Sequence, residues 1–250
     1  MNVLVVDDSA VVRNILNEVL SNDGRIKKVY QCSNGADAVD LNNKNEIDVL
    51  IMDINMPIMD GYEATEKIMK EKPVPILVFA NDIKPDDNFK LISLGALDVI
   101  SKPEIHKFNE PEFYNNFIET LLELAKVKLH FKKPLPHHDL SVKENKKYDL
   151  IIIGASTGGP STIKHILKEL PADFPVPIII VQHLEKNFDK GYAEWLNRAS
   201  KLSVKLADKE ESPDPGQVII SPVGVHLACK GGKFSTEDTA PILNQKPSVD

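Results

Sequence analysis

Residues 3–20 read VLVVDDSAVVRNILNEVL, and this stretch decides the fold. Residues 3–7 are a continuous apolar, Val-rich run closed by acid, the pattern of a strand buried on both faces. Residues 9–20 follow with apolar positions near helical spacing, Ser9 as N-cap and Gly24 beyond the end. The same alternation repeats outward. VYQCS (29–33), DVLIM (48–52), PILVFA (75–80) and DVISK (98–102) read as strands. Helices are expected over 35–44, from about Gly61 to Lys70, near 86–94, and from Pro111 to about Leu129. Five βα units in about 125 residues imply a parallel sheet covered on both faces.

Residues 126–147 (KVKLHFKKPLPHHDLSVKENKK) break the pattern. Seven Lys, three His and two Pro stand there against one Asp and one Glu, the composition of an exposed linker. His130, His137 and His138 hint at a metal site, but without Cys or several carboxylates nearby a solvated linker is the better reading. A second βα series begins at YDLIIIGAS (148–156), read as a buried strand running into a glycine turn. Pro160 to about Glu169 is expected helical, VPIIIVQH (176–183) a buried strand, and 187–200 a helix with Trp195 on the core face. VKLA, VIIS and HLACK read as short strands with hairpin-type turns between them.

Composition bounds the function. The 250 residues favour two domains, and 42% hydrophobic with 27% charged residues is ordinary globular material. A net charge of −7 argues against nucleic acid or anionic membrane as the main partner. Mean hydropathy is −0.20, and no apolar run approaches the ~20 residues of a membrane span. The N-terminus MNVLVVDDSA lacks a basic segment and meets acid early, unlike a secretory signal. Cys32 and Cys229 are the only cysteines, too few for a disulfide scaffold, and both are expected to be buried thiols. A cytoplasmic protein without membrane insertion is expected.

Ligands of a parallel α/β sheet bind at the carboxyl ends of its strands. Asp7 and Asp8 follow strand one, Asp53 ends strand three and Lys102 ends strand five, so all four gather at one edge. Three carboxylates alone repel, and Mg²⁺ is the natural counter-ion for such an oxygen set. A divalent cation and an ammonium together suit an incoming phosphoryl group. With VLVVDDSAVVR, DVLIMDINMPIMDGYEA and GALDVISKP, residues 1–125 resemble the receiver domain of response regulators. The resemblance implies Asp53 as phosphoacceptor and Mg²⁺ held by Asp7, Asp8, Asp53 and the backbone carbonyl of Asn55. It implies Lys102 as the phosphoryl contact. Two positions depart from the pattern. Ala80 replaces the usual Ser or Thr at the end of strand four, and Val99 replaces the coupled aromatic on strand five, so the usual hydroxyl-to-aromatic relay is missing.

Gly154-Ala155-Ser156-Thr157-Gly158-Gly159-Pro160 joins a strand to a helix, and its first five residues fit G-x-S-x-G. Such a turn presents a serine oxygen at the top of a sheet, with N–H groups of the following helix available to an oxyanion. His183 closes the next strong strand on the same edge and is the candidate base. A phosphate cradle is the alternative, but neither G-K-[ST] nor G-x-G-x-x-G is present. LIIIGASTGGP, VPIIIVQH, the helix from Phe188 through Arg198, PGQVIISPVGVHL and KPSVD are similar to the catalytic domain of chemotaxis protein-glutamate methylesterases, the CheB family. That resemblance implies Ser156 as nucleophile, His183 as general base and Thr157 as an active-site neighbour. The implied reaction is hydrolysis of glutamate methyl esters on chemoreceptors, with glutamine deamidation beside it and no cofactor for the ester step. The family's third triad residue, an Asp about forty residues beyond PSVD, has no counterpart here, and Asp208, Asp214 and Asp238 are the local substitutes to examine. VQH is followed by Leu184-Glu185, not Met-Pro, and Gln245-Lys246 precede PSVD in place of His-Arg.

The expected architecture is therefore α/β throughout. A flavodoxin-like (βα)5 receiver spans 1–125, a linker 126–147, and the N-terminal part of a Rossmann-like α/β methylesterase domain 148–250, incomplete as a C-terminally truncated domain. The expected partners are methyl-accepting chemoreceptors and a chemotaxis histidine kinase. Phosphorylation at Asp53 is expected to relieve a cover that the receiver places over the esterase edge. The rival expectation is a phosphorylation-dependent binding module without turnover.

Overall fold

The computed structural model describes residues 1–81, 85–129, 148–184, 186–242 and 246–248. Most of the expected linker, with His130, His137 and His138, lies outside the described residues. The chain divides into two compact units, Met1–Val127 and Lys128–Asp250.

In the first unit the strands are β1 (Asn2–Val6), β2 (Lys28–Cys32), β3 (Val49–Met52), β4 (Ile76–Ala80) and β5 (Asp98–Ser101). They form one parallel sheet in the order β2-β1-β3-β4-β5. The helices are α1 (Ala10–Ser21), α2 (Gly35–Lys44), α3 (Gly61–Glu71), α4 (Pro85–Leu94) and α5 (Pro111–Leu124), the last preceded by a 3₁₀ turn at Ile105–Asn109. Side-chain caps start three of them: Ser9 accepts from Val12 N–H, Asn34 from Asp37 N–H and Asp60 from Glu63 N–H. Val3 to Val6, Val49 to Met52 and Ile76 to Ala80 are all buried, as strands flanked by helices on both faces must be. Phe79 meets Phe108 edge-on at 5.9 Å and Phe117 at 5.2 Å, tying β4 to α5.

The second unit holds β6 (Ile151–Ala155), α6 (Gly159–Glu169), β7 (Ile178–Gln182), α7 (Asp189–Ala199), β8 (Ser203–Leu206), β9 (Glu210–Glu211), β10 (Gln217–Ile220), β11 (His226–Lys230) and β12 (Lys233–Glu237). A parallel sheet runs β6-β7-β10-β8, and an antiparallel one β11-β12-β9. Ile179, Ile219 and Phe234 pack as a buried cluster with Leu150, Ala207 and Leu227 against it. Trp195 is buried as expected.

Three expectations are corrected. The strand at 151–155 is half-buried and not fully enclosed, because β6 is the edge of its sheet, and Ile152 is 59% exposed. VKLA and VIIS are not joined as a hairpin; β8 and β10 are parallel neighbours, and the true hairpin is β11 with β12 through Gly231 and Gly232. Cys32 is buried but Cys229 is exposed, since it lies on the small antiparallel sheet. Among the described residues no helix is long and apolar enough to cross a membrane.

Candidate functional site

Parallel register places the first cluster. β1 pairs with β3, and the Asp53 N–H donates to the Val6 carbonyl at 2.8 Å, so Asp7 and Asp53 emerge side by side. The ligand atoms of Asp7, Asp8 and Asp53 lie within 4.8 Å of one another. Asp7 and Asp53 are buried, whereas Asp8 is exposed. The Lys102 N–H donates to the Ala80 carbonyl at 3.1 Å, which turns its side chain onto the same edge. Its Nζ reaches Asp7 Oδ2 at 2.6 Å and Asp53 Oδ1 at 3.0 Å. Burial holds the Asp53 carboxyl above the usual range; the Lys102 charge and hydrogen bond pull it down, and Asp7 adds repulsion.

Asn55 sits exposed two residues past Asp53, and its carbonyl stays an expectation of the resemblance. Arg13 was not foreseen: its Nη1 donates to the carbonyls of Asp7 at 2.7 Å and Asp8 at 3.0 Å, fixing the main chain that carries both acids. Ala80 and Val99 are both buried, and their apolar side chains replace the hydroxyl and the aromatic ring. Three convergent carboxylates, two of them buried, fit a hard divalent cation such as Mg²⁺.

The second cluster uses the same device. β6 and β7 pair from Ile151↔Ile178 to Ala155↔Gln182, and the His183 N–H closes the ladder on the Ala155 carbonyl at 3.1 Å. Ser156 and His183 are thus the next residues beyond adjacent strand ends, with Ser156 Oγ 3.3 Å from His183 Nδ1. Ser156 is exposed and Thr157 half-buried. Gly158 turns the chain with φ +74°, a left-handed conformation that favours glycine, and α6 begins at Gly159. The helix offers fewer donors than expected: the Gly159 N–H is spent on the Ser156 carbonyl at 2.8 Å, and Pro160 has none.

His183 Nε2 is buried without a hydrogen-bond partner among the described residues. None of the local substitutes reaches it. Asp208 lies 3.5 Å from Lys205, the Asp214 N–H donates to Gln217 Oε1, and Asp238 pairs with Lys246. A further residue was invisible in the sequence. The buried Gln182 donates from Nε2 to the carbonyls of both Ser156 and His183. Gln182 stands within the VPIIIVQH match, but a glutamine before His183 carries no chemical signal of its own; only the strand register reveals its reach.

Comparison with known proteins follows this division. The response regulator receiver domain matches residues 3–109, and CheB methylesterase matches residues 151–250. A protein-glutamate methylesterase/protein-glutamine glutaminase of Methanospirillum hungatei is 32% identical over 265 residues, covering all of this chain and 75% of the relative. One from Halalkalibacterium halodurans is 35% identical over 260 residues, with the same two coverages. The solved response regulator domain of Thermotoga maritima CheB is 28% identical, with a TM-score of 0.48, and covers 52% of this chain and 98% of that one.

Proposed function

The chain belongs to the protein-glutamate methylesterase/protein-glutamine glutaminase family, in which a response regulator receiver precedes a CheB methylesterase domain, and from that premise we propose that it hydrolyses glutamate methyl esters on chemoreceptors under control of phosphorylation at Asp53. The observation that carries the esterase reading is the 3.3 Å approach of Ser156 Oγ to His183 Nδ1 at an exposed strand edge.

Ser156 Oγ attacks the ester carbonyl carbon while His183 Nδ1 takes its proton. The oxyanion would be met by the N–H of Thr157, the residue that follows the nucleophile. His183 returns the proton to the leaving oxygen, and methanol departs. Water, deprotonated by His183, then attacks the acyl-serine and releases glutamate. A receptor glutamine enters the same sequence and loses ammonia. Nδ1 can act as base only when the ring proton sits on Nε2, which leaves a buried donor without a partner among the described residues, at a cost of about 1–3 kcal/mol. That observation favours the second reading, a phosphorylation-dependent binding module without turnover.

In the receiver, Asp7, Asp8 and Asp53, with the Asn55 carbonyl, would hold Mg²⁺, which neutralises the oxygens of an incoming phosphoryl group. Asp53 is the acceptor, and Lys102 exchanges part of its contact with the carboxylates for the phosphoryl group. A chemotaxis histidine kinase would be the donor, and a cytoplasmic location goes with these partners. Residues 126–147 are the proposed linker between a receiver over 1–125 and a catalytic domain from 148.

The deciding experiment is methanol release from methylated receptor membranes, with Ser156→Ala as blank. Release above the blank that rises with Mg²⁺ and acetyl phosphate, and an Asp53→Ala chain that ignores the phosphodonor, are expected. Release that still responds to the donor without Asp53 would overturn the regulatory part. No release from a folded chain that takes phosphate would favour the binding module.

A further inference from the structure

The parallel ladder of β6 and β7 ends one residue before the chemistry. Its last backbone rung joins the His183 N–H to the Ala155 carbonyl at 3.1 Å. Beyond it the two chains part, one into the Gly158 turn and the other past His183, yet Ser156 and His183 must hold a 3.3 Å contact there. The Gln182 side chain supplies the missing rung. Its Nε2 donates to the Ser156 carbonyl at 2.9 Å and to the His183 carbonyl at 2.9 Å, and the residue is 1% exposed. The Ser156 carbonyl also accepts from Gly159 N–H, so two donors lock the turn that carries the nucleophile. A flipped amide would set its oxygen against two carbonyl oxygens, which fixes the orientation.

Space around the amide is fitted to it. A Cβ at Gly159 would collide with Gln182 Oε1 and come within 2.8 Å of Ala155 Cβ. Gly159 is thus the residue that lets the carboxamide approach the start of α6. Oε1 itself is buried and has no partner among the described residues, so the side chain is held for its two donors. We infer that Gln182 is a positioning residue, whose carboxamide pins the main chain of the nucleophile to that of the base. The inference rests on the esterase reading and deepens it. Only a side chain of this length carrying two N–H bonds on one nitrogen can serve both carbonyls; Asn is one methylene short and Glu has no donor when ionised.

Gln182→Met keeps length and volume but removes both donors. The full chain is tested by methanol release and by the rate at which a fluorophosphonate labels Ser156, read by intact mass, with the melting temperature as a control on folding. Misplacement of a catalytic pair by about 1 Å costs on the order of 100-fold. The Met variant is expected to label and to turn over about that much more slowly per folded molecule, with KM changed less than about twofold. Gly159→Ala, which pushes the amide aside without removing it, is expected to slow labelling in the same sense and serves if the Met chain folds poorly. Labelling by the Met variant at the wild-type rate per folded molecule, with only its melting temperature lowered, overturns the inference and leaves the esterase reading intact. A wild-type chain that neither labels at Ser156 nor releases methanol overturns the esterase reading, and the positioning role with it.

Discussion

At Asp53 two demands compete. As the proposed phosphoacceptor it must be ionised to attack, yet it is buried, and burial raises its affinity for a proton despite Lys102 at 3.0 Å. A raised native value means that the folded protein binds this proton more tightly than the unfolded chain does. The associated stability is present below the ordinary carboxylate range and is lost as pH rises through the raised native value. Near pH 7, therefore, ionised Asp53 is a net cost to the folded first unit. Asp53→Asn is expected to raise the melting temperature of the first unit by a few degrees in EDTA, because it removes the desolvated charge and its repulsion by Asp7, while Lys102 keeps Asp7 at 2.6 Å. The gain should shrink as the pH falls from 7 into the ordinary carboxylate range, about 4, because the raised proton affinity lets wild-type Asp53 take up its own proton on the way. Scanning calorimetry at the two pH values checks this; a gain that grows on acidification contradicts the sign. The same variant should take no phosphate from acetyl phosphate, so stability and function part at one residue.

At the scale of elements, close approach places the loop that follows Asp53. Asp60 caps α3 through Glu63 N–H, and the Gly61 N–H donates to the Ile54 carbonyl at 2.8 Å. A Cβ at Gly61 would meet the Asp53 carbonyl oxygen and stand 2.8 Å from Ile54 Cα, so only glycine lets α3 start against the loop. The opposing atoms are backbone and cannot swing aside. Gly61→Ala is expected to destabilise the first unit by about 2 kcal/mol, within the usual range for overpacking, measured by urea denaturation at unchanged m-value. A loss below about 0.5 kcal/mol would mean that the loop gives way freely.

These contacts also show what a sequence reading can and cannot reach. Asp7, Asp53 and Lys102 were legible because apolar runs mark parallel strands, and parallel strands deliver their ends to one edge. Ser156 and His183 were legible for the same reason. The edge position of β6 was not, since IIIGA reads alike with one neighbour or two, and the number of neighbours is decided by topology. Arg13 and Gln182 were hidden because each acts on backbone carbonyls, which carry no side-chain signature. The hairpin expected before VIIS failed because turn residues at 212–216 look the same whether the chain reverses or detours through β9.

At the scale of the molecule, each unit has its own core, and the acidic cluster proposed to hold the cation lies wholly in the first. A ligand that binds only the native form adds RT ln(1 + [L]/Kd), about 2.7 kcal/mol at a hundredfold excess over Kd. Mg²⁺ should therefore raise the melting of the first unit by several degrees in the full chain, and EDTA should reverse it. Asp8 is the ligand to remove, because it is exposed and its loss leaves the buried Asp7–Lys102–Asp53 group in place. Asp8→Ala should abolish most of the Mg²⁺ shift while barely moving the melting temperature in EDTA. Control by phosphorylation demands more than local stabilisation: the state of the first unit must alter the reactivity of Ser156 in the second. Acetyl phosphate with Mg²⁺ should raise the rate at which a fluorophosphonate labels Ser156, and Asp8→Ala should lose that rise together with the calorimetric shift. If Mg²⁺ moves the first transition but phosphodonor leaves labelling unchanged, the receiver binds its cation without governing the esterase edge, and the regulatory proposal fails while the cation site stands.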